Sequence, residues 1–184
     1  TANSVSLRSD EYGDNYNTAS TVVAMAGTIS QQGIITTATD KDVFRFVLNS
    51  PNHLQLSVVP QHAGTANSGA NMDIRLTLLD GSGNPIAVYN PADVLDASID
   101  SNLVQGTYYV MVEGISNSNL TDYGSLGYYN MSGTLASILP DVDIRLSLQS
   151  QLSNLQFGWT IQMDQLINSI ELEVAEDGKN FRLL

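Results

Sequence analysis

The sequence predicts an all-β protein: an antiparallel β-sandwich, jelly-roll-like, followed by a partial second β-sandwich. Three observations lead there. Apolar residues recur at every second position in segment after segment, the spacing of a strand with one buried face. Stretches rich in Gly, Asn, Asp and Ser separate these segments at intervals typical of a sandwich. The chain is 42% hydrophobic but only 14% charged, so its polarity comes largely from Ser, Thr, Asn, Gln and Gly, as in a turn-rich β protein.

The first strand candidates are Val22–Met25 and Ile34–Thr37. Phe44 and Phe46 then flank Arg45, and Leu54, Leu56 and Val58 alternate with Gln55 and Ser57. Ile74, Leu76 and Leu78 alternate with Arg75 and Thr77 and run into Asp80-Gly81-Ser82-Gly83-Asn84, which reads as a hairpin turn. Thr107–Val112 and Tyr128–Leu135 follow. Helix is expected only as a single turn, at Asn17–Val22 or at Pro91–Leu95, where Asn90 could cap and Pro91 sit at the first helical position.

A boundary is expected near Ser137–Pro140. Beyond it Val142, Ile144, Leu146 and Leu148 face one way and Asp143, Arg145, Ser147 and Gln149 the other. Leu155, Phe157, Trp159 and Ile161 follow, then Ile170, Leu172 and Val174, with Asp177-Gly178 turning into Phe181. Three or four strands cannot bury an apolar face alone, so this part is expected to be the first half of a sandwich that packs on the first domain or on another chain, with Trp159 buried. The start at Thr1 and the end within Phe181-Arg182-Leu183-Leu184 predict a piece of a longer protein.

The charge balance narrows the partners. Seven Lys and Arg against nineteen Asp and Glu give a net charge of −12, which disfavours nucleic acid and anionic membranes and suits a divalent cation. There is no cysteine, hence no disulfide, thiolate site or cysteine nucleophile. No run of eighteen apolar residues offers a membrane-spanning helix. His53 and His62 have no zinc-site spacing, and neither a Gly-x-Ser-x-Gly elbow nor a phosphate-binding loop occurs. Glu113, between Val112 and Gly114, reads as a strand-end residue rather than a general base. Asp80 to Asn84 starts like an EF-hand loop but has Pro85 at position six and Pro91 at position twelve, so the turn reading is preferred.

Several segments, taken together and in order, resemble the bacterial pre-peptidase C-terminal domain, a calcium-associated β-sandwich found behind secreted peptidases. They are Asp10-Glu11-Tyr12-Gly13-Asp14 with Thr18-Ala19, Gly33-Ile34-Ile35 leading to Asp40-Lys41-Asp42-Val43-Phe44-Arg45-Phe46, and Asn71-Met72-Asp73-Ile74 through Leu79-Asp80-Gly81-Ser82-Gly83. Gly106-Thr107-Tyr108-Tyr109-Val110-Met111-Val112-Glu113-Gly114 and Tyr123-Gly124-Ser125-Leu126-Gly127-Tyr128-Tyr129 complete the set. The resemblance spans about residues 9–137, with 1–8 as a linker. Residues 138–184 resemble the opening strands of a fibronectin type III-like domain of type IX-secreted proteins, through Phe157-Gly158-Trp159-Thr160, Ile170-Glu171-Leu172-Glu173-Val174 and Asp177-Gly178-Lys179-Asn180-Phe181. Ile170 and Val174-Ala175 depart from that pattern.

The candidate metal ligands are Asp10, Glu11, Asp14, Asp40 and Asp42. Calcium takes six to eight oxygens, several of them carboxylates, and an acidic segment folded against an Asp-x-Asp turn could supply them. The resemblance implies calcium at an acidic residue before the first strand and at the Asp-x-Asp; Gly13 stands where a side-chain amide can serve. The competing reading is solvated linker charge at Asp10 and Asp14 and a turn former at Asp40. Tyr108, Tyr109, Tyr123, Tyr128 and Tyr129 either pack the sandwich or offer a flat face to a polymer. Asn119-Leu120-Thr121 and Asn130-Met131-Ser132 match the glycosylation acceptor pattern.

The expectation is therefore a non-catalytic C-terminal accessory region of a secreted bacterial peptidase, most simply a metallopeptidase, secreted or held at the cell surface. The alternative is an adhesion module for an extracellular protein or polysaccharide. An independent hydrolase lacks its catalytic constellation.

Overall fold

Alternating burial organises the chain, and the structure, a computed structural model, shows where each face goes. It describes residues 9–65, 68–119, 121–138, 142–151, 154–163, 173–175, 179–180 and 182–183. These fall into two units, Thr1–Ile138 and Leu139–Leu184.

The first unit contains β1 (Ser20–Thr21), β2 (Thr28–Ile35), β3 (Asp42–Leu48), β4 (Asn52–Pro60), β5 (Asp73–Leu79), β6 (Pro85–Tyr89), β7 (Ala97–Leu103), β8 (Gly106–Ile115) and β9 (Gly127–Ser137). They form a five-stranded sheet, β1-β3-β8-β5-β6, and a four-stranded sheet, β2-β9-β4-β7. Neither sheet closes. Within these two sheets all pairings are antiparallel except that of β1 with β3, where Ser20 lies opposite Phe44.

One core joins the two sheets. Phe44, Phe46, Ile74, Leu76, Leu78, Val110 and Val112 from the first belong to the same buried cluster as Ile29, Leu54, Leu56, Val58, Ile99 and Met131 from the second. Each fully buried side chain of this size contributes about 1.5–3 kcal/mol. Gly133 lets β4 and β9 close up, since a side chain there would run into the Gln55 backbone.

The outer face of the five-stranded sheet is covered as well. Val43, Leu79 and Tyr109 form a second buried cluster, with Ala19 and Met111 packed on it. Tyr16 meets Tyr109 edge-on at 5.9 Å, and Tyr12 meets the core residue Phe44 at 4.8 Å. Backbone bonds follow the same line: Val43 N–H donates to Gly13 O at 3.1 Å and Val22 N–H to Arg45 O at 2.9 Å. The segment from Tyr12 to Val22 is thus laid along β3.

The sequence reading is corrected at several elements. Val22–Met25 is not a strand; Met25 and Thr28 exchange backbone hydrogen bonds around Ala26 and Gly27, whose φ values of 51° and 79° make a tight hairpin turn. The expected strand at Ile34–Thr37 begins at Thr28 and ends at Ile35, because Thr36 and Thr37 enter the turn before β3. Strands β6 and β7 were not expected. In β7, Ala-Ser-Ile-Asp-Ser-Asn-Leu looks polar, yet Ala97, Ile99 and Leu103 are buried. Neither Asn17–Val22 nor Pro91–Leu95 is helical. The first has a turn closed by Thr18 N–H on Asn15 O and then joins β3, and Leu95 is held as an acceptor of Ile74 N–H. The one helical element among the described residues is a 3-10 turn at Asp122–Gly124.

The Asp80–Asn84 hairpin is as expected. The Asp80 carboxylate accepts from Asn84 N–H at 2.8 Å and from Ser82 N–H at 2.9 Å, and Gly83 takes a φ of 83°.

In the second unit β10 (Val142–Gln151) pairs antiparallel with β11 (Asn154–Met163), from Val142 opposite Met163 to Gln151 opposite Asn154. Of the expected polar set Asp143, Arg145, Ser147 and Gln149, the last three are exposed, and the side chain of Asp143 lies outside the described residues. Two short strands, β12 (Glu173–Val174) and β13 (Arg182–Leu183), also pair antiparallel. Asp177-Gly178, Ile170, Leu172, Phe181 and the side chain of Trp159 lie outside the described residues.

Two substitutions check the core assignment. Ile74→Ala removes a fully buried side chain and is expected to cost about 2–5 kcal/mol in urea unfolding. Val88→Ala, on the exposed side of β6, should change stability by no more than about 0.5 kcal/mol. Equal losses at both positions would contradict the face assignment.

Candidate metal centre

The alternation that buries Phe44 and Phe46 also turns Asp42, two residues earlier on the same strand, toward the interior. Asp42 is fully buried, and Asp40, in the turn before β3, is 7% exposed. Thr36 shapes that turn by donating to Asp40 Oδ2 from its N–H at 2.5 Å and its hydroxyl at 2.8 Å. Asp42 Oδ2 accepts from the Tyr129 hydroxyl at 2.5 Å, across from β9. Gly33 on β2 makes this bond reachable, because a side chain there would collide with that hydroxyl.

The N-terminal segment brings the third carboxylate. Asp10 accepts from Tyr12 N–H at 3.0 Å, while the Tyr12 hydroxyl donates to Gln32 O at 2.9 Å. Asp10, Asp40 and Asp42 each offer an oxygen, and the three atoms lie within 4.8 Å of one another. Asp10 is exposed; the other two are not.

The fit to a cation rests on the remaining oxygens. Asp40 Oδ1 and Asp42 Oδ1 are buried and have no hydrogen-bond partner. A buried acceptor left unmade costs about 1–3 kcal/mol, and more if charged. Burial, first of all, pushes the Asp42 carboxyl up to about 7, against the lowering effect of the Tyr129 hydrogen bond, with the Asp40, Glu11 and Asp10 charges raising it further. Burial and then Asp42 likewise raise the Tyr129 hydroxyl far above the phenol range. A hard oxygen-seeking ion is what three convergent carboxylates suit, and calcium has that chemistry.

The other two acidic candidates stand apart from this trio. Glu11 is exposed and acts on Asp42 through its charge. Asp14 accepts from Lys41 N–H at 3.1 Å and so clasps the backbone between the two buried aspartates. Tyr129, Thr36 and Gly33 were not expected to belong to the acidic site. Their signal was faint: a glycine inside a strand, and a tyrosine in a run that also reads as packing.

The remaining polar candidates are accounted for. His53, near the start of β4, shares a 2.6 Å hydrogen bond with Asp100, and His62 follows the other end of that strand. Glu113 is no strand-end residue: it is buried inside β8, 2.9 Å from Arg75 and 3.4 Å from Lys41. The five tyrosines do not share one face. Tyr129 and Tyr109 are buried and Tyr108 packs against the core, whereas Tyr123 and Tyr128 are exposed.

Residues 40–114 match the sequence profile of the bacterial pre-peptidase C-terminal domain. The matched stretch runs from the turn before β3 into β8 and covers less than half of the chain. The match opens on Asp40 and takes in Asp42. No curated protein matches the sequence. Among solved structures, the 1.0 Å crystal structure of the pre-peptidase C-terminal domain of collagenase from Bacillus anthracis is similar. It is 19% identical with a TM-score of 0.46, and the match covers 69% of this chain and 98% of that one.

The raised Asp42 value sets a pH dependence. From an ordinary value of 3.8 it rises to about 7 in the fold, so the native chain binds this proton more tightly than the unfolded one. That contribution to stability is fully present below about pH 3.8 and is lost as pH rises through about 7. In chelator, the melting temperature of the wild type should therefore fall between these limits relative to Asp42→Asn. A constant difference between the two across the window would contradict the buried, uncompensated carboxylate.

Proposed function

We propose that this chain is the calcium-stabilised, non-catalytic C-terminal accessory region of a secreted bacterial peptidase, most simply a metallopeptidase. It is exported or held at the cell surface and supports the stability, secretion or substrate targeting of its parent. The observation that carries the reading is the coincidence of two independent features. The family match begins at Asp40, and Asp40 and Asp42, two of the three described buried aspartates with an unpartnered oxygen, are the two that converge with Asp10; the third, Asp73, is not part of that group.

Asp10, Asp40 and Asp42 would hold the ion, with Glu11 and Asp14 contributing charge and backbone position. The ion would supply positive charge where the fold gathers negative charge. The chain's own part is mechanical. Tyr12 fills the gap beside Phe44, Gly13 pairs with Val43, and the segment that follows covers the outer cluster of the five-stranded sheet. Tying Asp10 to Asp40 and Asp42 therefore fastens the entry of the domain to its core. In a secreted protein that junction adjoins whatever precedes the domain.

The reading of residues 138–184 as the start of a fibronectin type III-like domain is part of the same proposal. The β10–β11 hairpin is in keeping with it. The adhesion alternative is less well supported, because three of the five tyrosines that would form its face are spent on packing.

Thermal melting in calcium and in chelator tests the proposal. At free calcium about a hundred times the dissociation constant, linkage gives roughly 2.7 kcal/mol of added stability. That rise should appear in the wild type and vanish in Asp40→Ala/Asp42→Ala. Equal calcium responses in both proteins would return the acidic cluster to solvated charge.

A further inference from the structure

We infer that Glu113 is a positioning residue for the metal centre, acting through Lys41; the inference rests on the calcium reading above. Lys41 is the residue between the two buried ligands. Strand alternation sends the side chain of Asp42 inward, so that of Lys41 leaves on the other face of the sheet. There its ammonium lies 3.4 Å from Glu113 Oε2, while Arg75 Nε donates to Glu113 Oε1 at 2.9 Å. Glu113 is 6% exposed and sits on β8, a central strand of the sheet.

The contacts form a clamp on one residue. Asp14 accepts from the Lys41 backbone and Glu113 pairs with its side chain. Thr36 holds Asp40 on one side, and pairing with Val112 holds Asp42 on the other. Val112 immediately precedes Glu113, so the same stretch of β8 fixes both the strand that carries Asp42 and the side chain of Lys41. Two carboxylates that repel each other, and both face Asp10, keep their separation only if the backbone between them cannot shift. Arg75 completes the arrangement by orienting the Glu113 carboxylate from β5. Without Glu113, Lys41 and Arg75 would lose their shared counter-charge beside a site whose ligands are anionic, and Lys41 could turn toward those ligands.

Residues that orient metal ligands without touching the ion typically change affinity by roughly 10- to 100-fold when removed. Calcium titration by calorimetry on the full chain tests the idea with wild type, Glu113→Gln, Lys41→Met, the double variant and Asp42→Asn. Glu113→Gln and Lys41→Met should each weaken calcium binding roughly tenfold, and the double variant no more than either alone, because both break one contact. Circular dichroism melts in chelator, taken in parallel, separate positioning from folding. The weaker binding should persist at temperatures where each variant remains folded. Unchanged affinity in Glu113→Gln, additive losses in the double variant, or tighter binding in Lys41→Met would each overturn the inference while leaving the calcium site standing. Absence of calcium binding to the wild type would instead remove the reading on which it rests.

Discussion

A carboxylate on the inner face of a hydrophobic strand is the constraint from which much of this domain follows. Asp42 shares its face with Phe44 and Phe46 and is completely buried. Burying an unpaired charge is among the costliest things a fold can do, so the surroundings must answer it. Tyr129 reaches across from β9, Gly33 clears the way, and Asp10 arrives on the N-terminal segment. Even then two buried oxygens lack partners. Asp40 makes the demand greater, since a second buried carboxylate beside the first adds repulsion rather than relief. The architecture accommodates the core without help from the acidic residues; what they require is a positive charge.

That requirement links two features that otherwise look unrelated. The segment from Tyr12 to Val22 has little regular structure, yet it packs Tyr12 on the core, Tyr16 and Ala19 on the outer cluster, and adds a two-residue parallel strand to β3. Long irregular segments usually fray at domain ends. This one is held along the first half of β3, at Val43 and Arg45, and its first anchor is the acidic trio. An ion there would convert a marginal docking into part of the domain. On the far side of the same strand, the Arg75–Glu113–Lys41 network presents the opposite chemistry, one buried acid between two bases. The two faces of β3 thus carry complementary solutions to charge burial, one completed by the protein itself and one open to an ion.

Much of this was legible in the sequence. The alternation at Leu54–Val58 and Ile74–Leu78 predicts the faces observed, and Asp80–Asn84 is the hairpin its glycines and aspartate imply. The acidic trio was readable because Asp-x-Asp stands directly before an aromatic strand. What escaped notice has physical reasons. The first part of β2 and all of β7 keep few apolar residues, and Ile29 and Ile99 are buried among serines, glutamines and aspartates, so period-two alternation is faint there. The roles of Tyr129 and Gly33 depend on pairing between strands about a hundred residues apart, which local patterns do not encode. Glu113 was misread for the same reason: between Val112 and Gly114 it looks like a strand end, but its partners come from β5 and the turn before β3.

The central claim is that Asp10, Asp40 and Asp42 close around a divalent ion and so fasten the N-terminal segment to the sandwich. A crystal structure of the chain grown in calcium addresses it most directly. The account predicts an ion bound by oxygens of all three residues at about 2.3–2.6 Å, engaging the buried Oδ1 atoms of Asp40 and Asp42, with Tyr12 still against Phe44. A well-ordered structure at saturating calcium with no ion among these carboxylates, and Asp10 turned away into solvent, would contradict it.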